Sequence, residues 1–364
     1  MEQIRYTFII PAPDFETALP AVNRLKALEL KADRTVVGDT EIIVTVGRSP
    51  STQRNVAAAQ ARGDVLVFLD SDSQPADDFL SVLAASEPFD VLGGPAMLLQ
   101  PAPFLQRLFH EVLAHPYIVG PTAARYRPLG KLRETNESEL ILCNLAITRS
   151  CFEKVGPFNV NLYPNEENDW LDRAAGLYKA PKRHAAHPLQ PVPATPLRIL
   201  YQPALHIRRP QRGTWREFCT TMMRYGTGRT RQFLSSGKWN PAKQGLLIGL
   251  LLFSISLIAR PLITLAALLA IGAAATGAIM VTREPYQDTT PEEKAHPPIA
   301  SWKVALTGLT VPFFYAAGQF MGFLPTFQPA MKNRKPADVK LFNENGSPIV
   351  VGVSSEKHDV AAAQ

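Results

Sequence analysis

The first 72 residues alternate strand, helix, strand, helix, strand, and that order admits few folds. Residues 6–10 form a short β-rich apolar run ended by Pro11, Pro13 and Asp14. A helix follows over residues 16–30, with Leu19, Val22, Leu25 and Leu28 at helical spacing. Residues 41–46 read as a second strand stopped by Gly47, and residues 53–62 as an alanine-rich helix ended by Gly63. Residues 64–69 are a third strand that runs straight into Asp70-Ser71-Asp72. Parallel strands need crossover connections, so the expectation is an α/β domain. Ligands in such sheets sit beyond the carboxyl ends of the strands, the edge shared by Pro11, Gly47 and Asp70.

Further strands are expected at residues 91–95, with a glycine break, and at residues 140–147. A helix then runs through Val155 to a turn at Gly156-Pro157, and another opens at Asn165. Residues 180–197, rich in Pro, Ala and His, read as an irregular loop before a last short strand at residues 198–201. No internal repeat is evident.

The chain is 46% hydrophobic with a net charge of +6, but these averages hide a division. Residues 1–240 have a soluble pattern, whereas residues 244–281 are almost free of charge. Within them, residues 244–259 are 16 long, about 24 Å as a helix and short of the ~30 Å hydrocarbon core. Residues 262–281, after Arg260-Pro261, are 20 long and sufficient to span. Residues 302–327 are a third apolar stretch, broken by Pro312. If all three crossed once, the cationic Lys332 and Lys335 would leave the cytoplasm, against the positive-inside preference. One of them is therefore expected not to be a simple crossing.

Basic residues crowd between Arg208 and Lys243, just before the apolar region, which fits a membrane surface better than a nucleic acid. Residues 215–233, with Phe218, Met222, Met223 and Tyr225 among arginines, read as an amphipathic interfacial helix. Met1-Glu2-Gln3-Ile4-Arg5 leads directly into a strand, without a secretory leader pattern, so the soluble part is expected in the cytoplasm. Cys143, Cys151 and Cys219 lack metal-type spacing and read as reduced, buried thiols.

The Asp70-Ser71-Asp72 triplet carries the strongest chemical signal. Two carboxylates at i and i+2, at the end of a buried strand, can face one cation from an extended turn. Hard divalent ions such as Mg2+ or Mn2+ take oxygen ligands and bridge diphosphates, which makes Asp72 and Asp70 candidate metal ligands. Surface turns contain such triplets often; the preceding buried strand gives this one its weight. A second cluster, Asn165-Glu166-Glu167-Asn168-Asp169, puts acids in the first turn of a helix. An acid there serves either as proton acceptor for an attacking hydroxyl or as a stabiliser of the helix N-terminus. His206 is a candidate metal or phosphate ligand, and Arg208 and Arg209 are candidates for a diphosphate or a lipid headgroup. His184 and His187 read as solvated loop residues.

Taken in order, these segments resemble inverting family 2 glycosyltransferases of the GT-A fold over residues 5–235. Phe8-Ile9-Ile10-Pro11 looks like the family's first strand, with Asp14 where Asn is usual. Gln53-Arg54-Asn55, followed by Gly63 and the strand into Asp70-Ser71-Asp72, is the most specific part of the likeness. Cys143-Asn144 through Arg149, then Phe152 through Phe158, is similar to the segment preceding the catalytic acid. The Arg224–Arg229 and Tyr315–Leu324 segments look like membrane-bound transferases of the succinoglycan exopolysaccharide type. The resemblance implies a Rossmann-like, mostly parallel sheet flanked by helices, with C-terminal membrane-embedded helices.

It also implies roles for individual residues. Glu167 falls on the usual catalytic base, with Glu166 as its rival; Asp72, Asp70 and His206 fall on the site of Mg2+ or Mn2+. Pro11, Asp14, Gly47, Arg54, Asp70, Ser71, Asp169 and Arg229 would bind the nucleotide-sugar. Thr45-Val46-Gly47-Arg48 replaces the family's Asp-Asp-Gly-Ser, so a UDP-sugar is only the default donor. The Gln-x-x-Arg-Trp motif of processive synthases is missing, which favours addition of single sugars. The implied activity is sugar transfer with inversion to a hydroxyl of a lipid-linked saccharide or glycan, at the cytoplasmic face of the inner membrane. A polyprenyl-phosphate transferase and an inactive nucleotide-binding scaffold are the alternatives, and no nucleic acid partner is expected. The expected organisation is a catalytic domain over 1–210, an interfacial helix region over 211–243, membrane-embedded helices over 244–330 and a polar tail over 331–364.

Overall fold

The computed structural model describes residues 4–177, 197–237, 261–282, 298–324 and 339–349, with isolated positions between 245 and 260. Residues 180–196 of the expected loop 180–197, with His184 and His187, and seven of the sixteen residues of the run 244–259 lie outside the described residues.

Strands β1 (Ile4–Ala12), β2 (Asp39–Val46) and β3 (Val65–Leu69) form the parallel heart of the fold. Ile10 pairs with Val44, and Phe8 with Val67. Every residue of β3 is buried, the continuous apolar run of a strand covered on both faces. Around this heart the sheet is mixed. The chain between Leu98 and Asn144 delivers β8 (Asn144–Thr148) against the direction of β3 and of β5 (Val91–Gly93). β9 (Ile199–Tyr201) is parallel to β5, and β7 (Arg133–Glu134) closes that edge in the antiparallel sense. A second, three-stranded sheet places β10 (Ile207–Arg209) between β4 (Gln74–Pro75) and β6 (Ala96–Leu98).

Helices cover both faces. α1 (Phe15–Glu29) buries Ala18, Val22, Leu25 and Leu28 on one face, its periodicity as expected from sequence. A four-residue helix α2 (Arg34–Val37) precedes β2, and α4 (Phe79–Ala85) joins α1 against the sheet. The opposite face carries α3 (Pro50–Gln60), α7 (Arg149–Val155) and α8 (Glu166–Ala174). There Trp170, fully buried, packs with Phe152 and Phe158, and its indole N–H donates to Gly156 O at 2.7 Å.

A third core joins α5 (Phe104–Leu113), with the short α6 (Pro116–Val119), to the C-terminal helices. α9 (Trp215–Ser236) begins at a capping box of Thr214 and Glu217 and ends at Gly237, whose φ is +70°. Phe218 of α9 stacks on Phe109 at 4.3 Å. α10 (Pro261–Thr282) is strongly apolar and mostly exposed. α11 (Ser301–Gly308) and α12 (Thr310–Gly322) follow, with α12 laid against α9. Pro261–Val281 and Ser301–Gly322 are both long and apolar enough to cross a membrane, with mean hydropathy 2.2 and 1.3.

Two expectations need correction. The face of α9 carrying Phe218 and Met222 is buried against protein, where an interfacial helix would present it to lipid. Amphipathic spacing is the same for both partners. The polar tail contains a strand, β11 (Lys340–Asn343), antiparallel to β2. Leu341 enters the core and the Phe342 ring meets Phe15 at 5.6 Å, which covers an otherwise open sheet edge.

Candidate active site

The carboxyl ends of β1 and β2 are tied together by one buried amide. Gln53 Nε2 donates to Ala12 O at 2.9 Å and to Thr45 O at 2.6 Å. Pro11 and Gly47 lie at this edge, where Gly47 N donates to Ala12 O. After β3 the chain turns sharply: Ser73 N donates to Asp70 O, and Asp70 N to Ser73 Oγ. That turn holds both carboxylates of the triplet on one side, where two guanidiniums meet them. Arg209 Nη1 donates to Asp70 Oδ2 and Arg209 Nη2 to Asp72 Oδ2, each at 3.0 Å. Arg54 Nη2 donates to Asp70 Oδ1 at 2.6 Å, while Arg54 Nη1 reaches Glu166 Oε1 at 3.1 Å.

Arg54 therefore ties the turn after β3 to the acidic start of α8, two groups 96 residues apart in sequence (166 − 70). Burial alone would raise the Asp70 carboxyl, but Arg209 and Arg54 outweigh it and hold it below its ordinary value. Asp72 moves the other way: burial raises it, Arg209 opposes, and Asp70 adds to the rise.

At the start of α8, Asn165 adopts φ +124°, a strained value for a residue other than glycine. Three contacts hold it there: its N–H meets Glu166 Oε2, its Nδ2 donates to Gln232 Oε1, and its Oδ1 accepts from Asn168. Glu166 is 2% exposed, and burial, reinforced by Glu167, pushes its carboxyl up to about 7 despite Arg54. Glu167 is more open. It faces Arg125 Nη1 at 3.6 Å, and Arg125 also donates to Asn168 Oδ1 at 2.7 Å.

The Glu166 shift sets a stability prediction. The native carboxyl binds its proton more tightly than the unfolded one, so stability falls as pH rises from 4.5 to about 7 and is level above. The full difference is about 3 kcal/mol. Glu166→Gln is expected to flatten this dependence, so that thermal midpoints between about pH 5 and about pH 8 change less than in the parent. An unchanged slope in the variant would assign the titration to another group.

Other residues singled out from sequence are dispersed. Asp14 is the N-cap of α1: its Oδ1 accepts from Thr17 N and Thr17 Oγ1, which lowers its pKa. Asp169 pairs with Arg173 inside α8 at 3.1 Å. Arg229 lies on α9 against Gln232 and Glu137, supporting the Asn165 loop. Ser71 is in the turn between the two aspartates, half-buried.

The expected metal set does not assemble. His206 O accepts from Ala76 N, and the His206 ring nitrogen Nδ1 lies 3.0 Å from Ala204 O. His206 stands just before β10 with its ring against Ala204 O, and it is Arg209 that reaches the aspartates. Both Asp70 oxygens and Asp72 Oδ2 are already bound by guanidinium, leaving only Asp72 Oδ1, buried without a hydrogen-bond partner. Among the described residues no group of three His, Cys, Asp or Glu side chains is arranged to hold a metal. One free oxygen does not fit a resident Mg2+ or Mn2+, which needs several.

The sequence marks Gln53 only as part of the Gln53-Arg54-Asn55 motif, without a role, and does not mark Arg125 or Gln232 for this site. The first is buried in α3 beside Arg54, which was a usable signal; the others are placed by tertiary packing alone.

Residues 38–90 match the profile of Glycosyl transferase family 2. The matched segment runs from β2 through α4 and includes Arg54, Asp70 and Asp72. No curated protein matches the chain. Among solved structures, the chain is similar to mannosyltransferase PcManGT from Pyrobaculum calidifontis in complex with GDP-Man and Mn2+. Identity is 17%, TM-score 0.42, with 88% of this chain and 87% of that one covered. It is also similar to S. aureus TarS 1-349 in complex with UDP, at 12% identity and TM-score 0.37, covering 87% and 91%. A third, GalNAc-T7 with UDP, GalNAc and Mn2+, gives 11% identity and TM-score 0.32, covering 63% and 51%.

Proposed function

We propose that this chain is a glycosyltransferase that moves a sugar, with inversion, from a nucleoside-diphosphate sugar to an acceptor hydroxyl beside a membrane. The observation that carries this reading is the Arg54 bridge, which brings the Asp70–Asp72 turn and the Glu166–Glu167 pair to one edge of the sheet. The family 2 match over residues 38–90 supports it on the donor side.

In this reading the diphosphate lies over the turn after β3, facing Arg209. Glu167 is the proton acceptor: it is less enclosed than Glu166, whose two oxygens are held by Arg54 and by Asn165 N. The acceptor O–H proton passes to the Glu167 carboxylate as the oxygen bonds to the anomeric carbon. The bond from that carbon to the diphosphate oxygen breaks, and the nucleoside diphosphate departs. A single displacement from the opposite face inverts the anomeric centre. Glu166 and Arg54 position this acid rather than react.

The apolar Pro261–Val281 helix favours a lipid-linked acceptor, with the site facing the cytoplasm at the inner membrane. UDP-sugars are the default donors to test. Full-length protein in membranes, assayed with a panel of nucleotide-sugars, is expected to release free nucleotide from one of them. Failure with every donor, with and without divalent metal, would sink the reading. Glu167→Gln is expected to lose at least about 100-fold in transfer while still binding nucleotide. Transfer retained in that variant would point to a phosphate acceptor, which needs no base.

A further inference from the structure

Resting on that donor reading, we propose that the Arg209 guanidinium is the cation of the diphosphate site, so that donor binding and transfer need no divalent metal. The two aspartates that a metal would use are already paired with protein cations. Arg209 meets Asp70 and Asp72 at 3.0 Å each, and Arg54, which also holds Glu166, meets Asp70 at 2.6 Å. Arg209 forks across the pair, one nitrogen to each carboxylate, the bidentate geometry that suits guanidinium and not ammonium. A divalent ion on the same oxygens would have to expel this side chain, and the His206 ring nitrogen Nδ1 lies against Ala204 O.

The backbone fixes Arg209 where it is. β10 is held on both sides, Ile207 opposite Pro75 and Arg209 opposite Leu98, so the turn and the guanidinium belong to one small sheet. Leu99 N also donates to Arg209 O at 2.9 Å. Arg209 also hydrogen-bonds the Cys143 side chain, and its remaining N–H groups are the donors offered to a diphosphate. As the sugar–oxygen bond breaks, charge gathers on the departing diphosphate, and a fixed guanidinium at that place stabilises it without reorganisation.

The test uses full-length protein in detergent, the five common nucleoside diphosphates as probes, and calorimetry with either EDTA or Mn2+. The expected result is that one nucleotide binds with affinities equal within about 2-fold in the two conditions. Arg209→Ala should weaken it about 10- to 100-fold in EDTA, the worth of one or two charged hydrogen bonds. With the guanidinium gone, the exposed aspartate pair should now take up Mn2+, visible as loss of the free-ion electron paramagnetic signal, which the parent does not cause. Arg209→Lys, which keeps charge and fold, should remain metal-independent with an intermediate affinity. Nucleotide that binds the parent only with Mn2+ overturns the proposal while leaving the transferase reading intact. Nucleotide that binds under neither condition overturns both.

Discussion

Arg54→Ala should cost about 3–5 kcal/mol of stability and leave no measurable transfer. Arg54 is 4% exposed in the middle of α3 and is the shared partner of two carboxylates, Asp70 and Glu166. Removing one partner of a buried ion pair leaves an uncompensated charge; here the truncation strands Glu166 and leaves Asp70 to Arg209 alone. The deficit has a predictable pH dependence. Glu166 already binds its proton up to about pH 7, so acid relieves the variant by protonating the stranded carboxyl. The gap between variant and parent, read from urea midpoints, should narrow from about pH 8 to about pH 5. Arg54→Lys should recover part of the stability, because a point charge serves one acid but cannot fork to both. An Arg54→Ala protein within about 1 kcal/mol of the parent would mean the bridge is not formed in solution, and the proposed active site would lose the contact that assembles it.

How far the sequence discloses this arrangement depends on how local each feature is. β1, β2 and β3 were legible because strands buried on both faces are uninterrupted apolar runs, and the Asp70-Ser71-Asp72 turn follows directly from the third. The acids of α8 were legible as a cluster in a first helical turn. β4, β6 and β10 were not, since two or three residues carry no periodicity, yet they deliver Arg209 to the aspartates. The Arg209–Asp70 contact spans 139 residues, and nothing local marks it. β11 was hidden for a similar reason: Leu341 and Phe342 are a brief apolar pair in a polar stretch, made a strand by the open edge of β2. Asp14 had a legible local role, as cap of α1, beside the donor role that the family likeness implied.

Gly318→Val is the substitution that tests whether the apolar C-terminal helices govern the acidic loop. A side chain at Gly318 would place its Cβ 2.0 Å from Met223 O, and one at Gly226 would meet Tyr315 O at the same distance. Both obstacles are backbone atoms, so no rotamer relieves them, and α9 and α12 must separate. That separation breaks the hydrogen bonds from Thr227 Oγ1 to Gly318 O and from Thr230 Oγ1 to Gln319 O, each at 2.9 Å. The consequence travels along α9. Gly228 lies with its Cβ direction 2.2 Å from Pro164 O, and Gln232 holds both Asn165 and Asp172. Displacing α9 therefore moves the strained residue that aims Glu166 and Glu167. Gly318→Val is expected to cost about 1–3 kcal/mol or more and to lower transfer at least about 100-fold, with nucleotide binding at the Asp70–Asp72 turn less affected. Gly272→Val on α10, where nothing lies within 4 Å, is the matched control and should leave transfer near the parent level. Equal activity in the two variants would show that α12 does not clamp α9, and the apolar helices would then serve attachment alone.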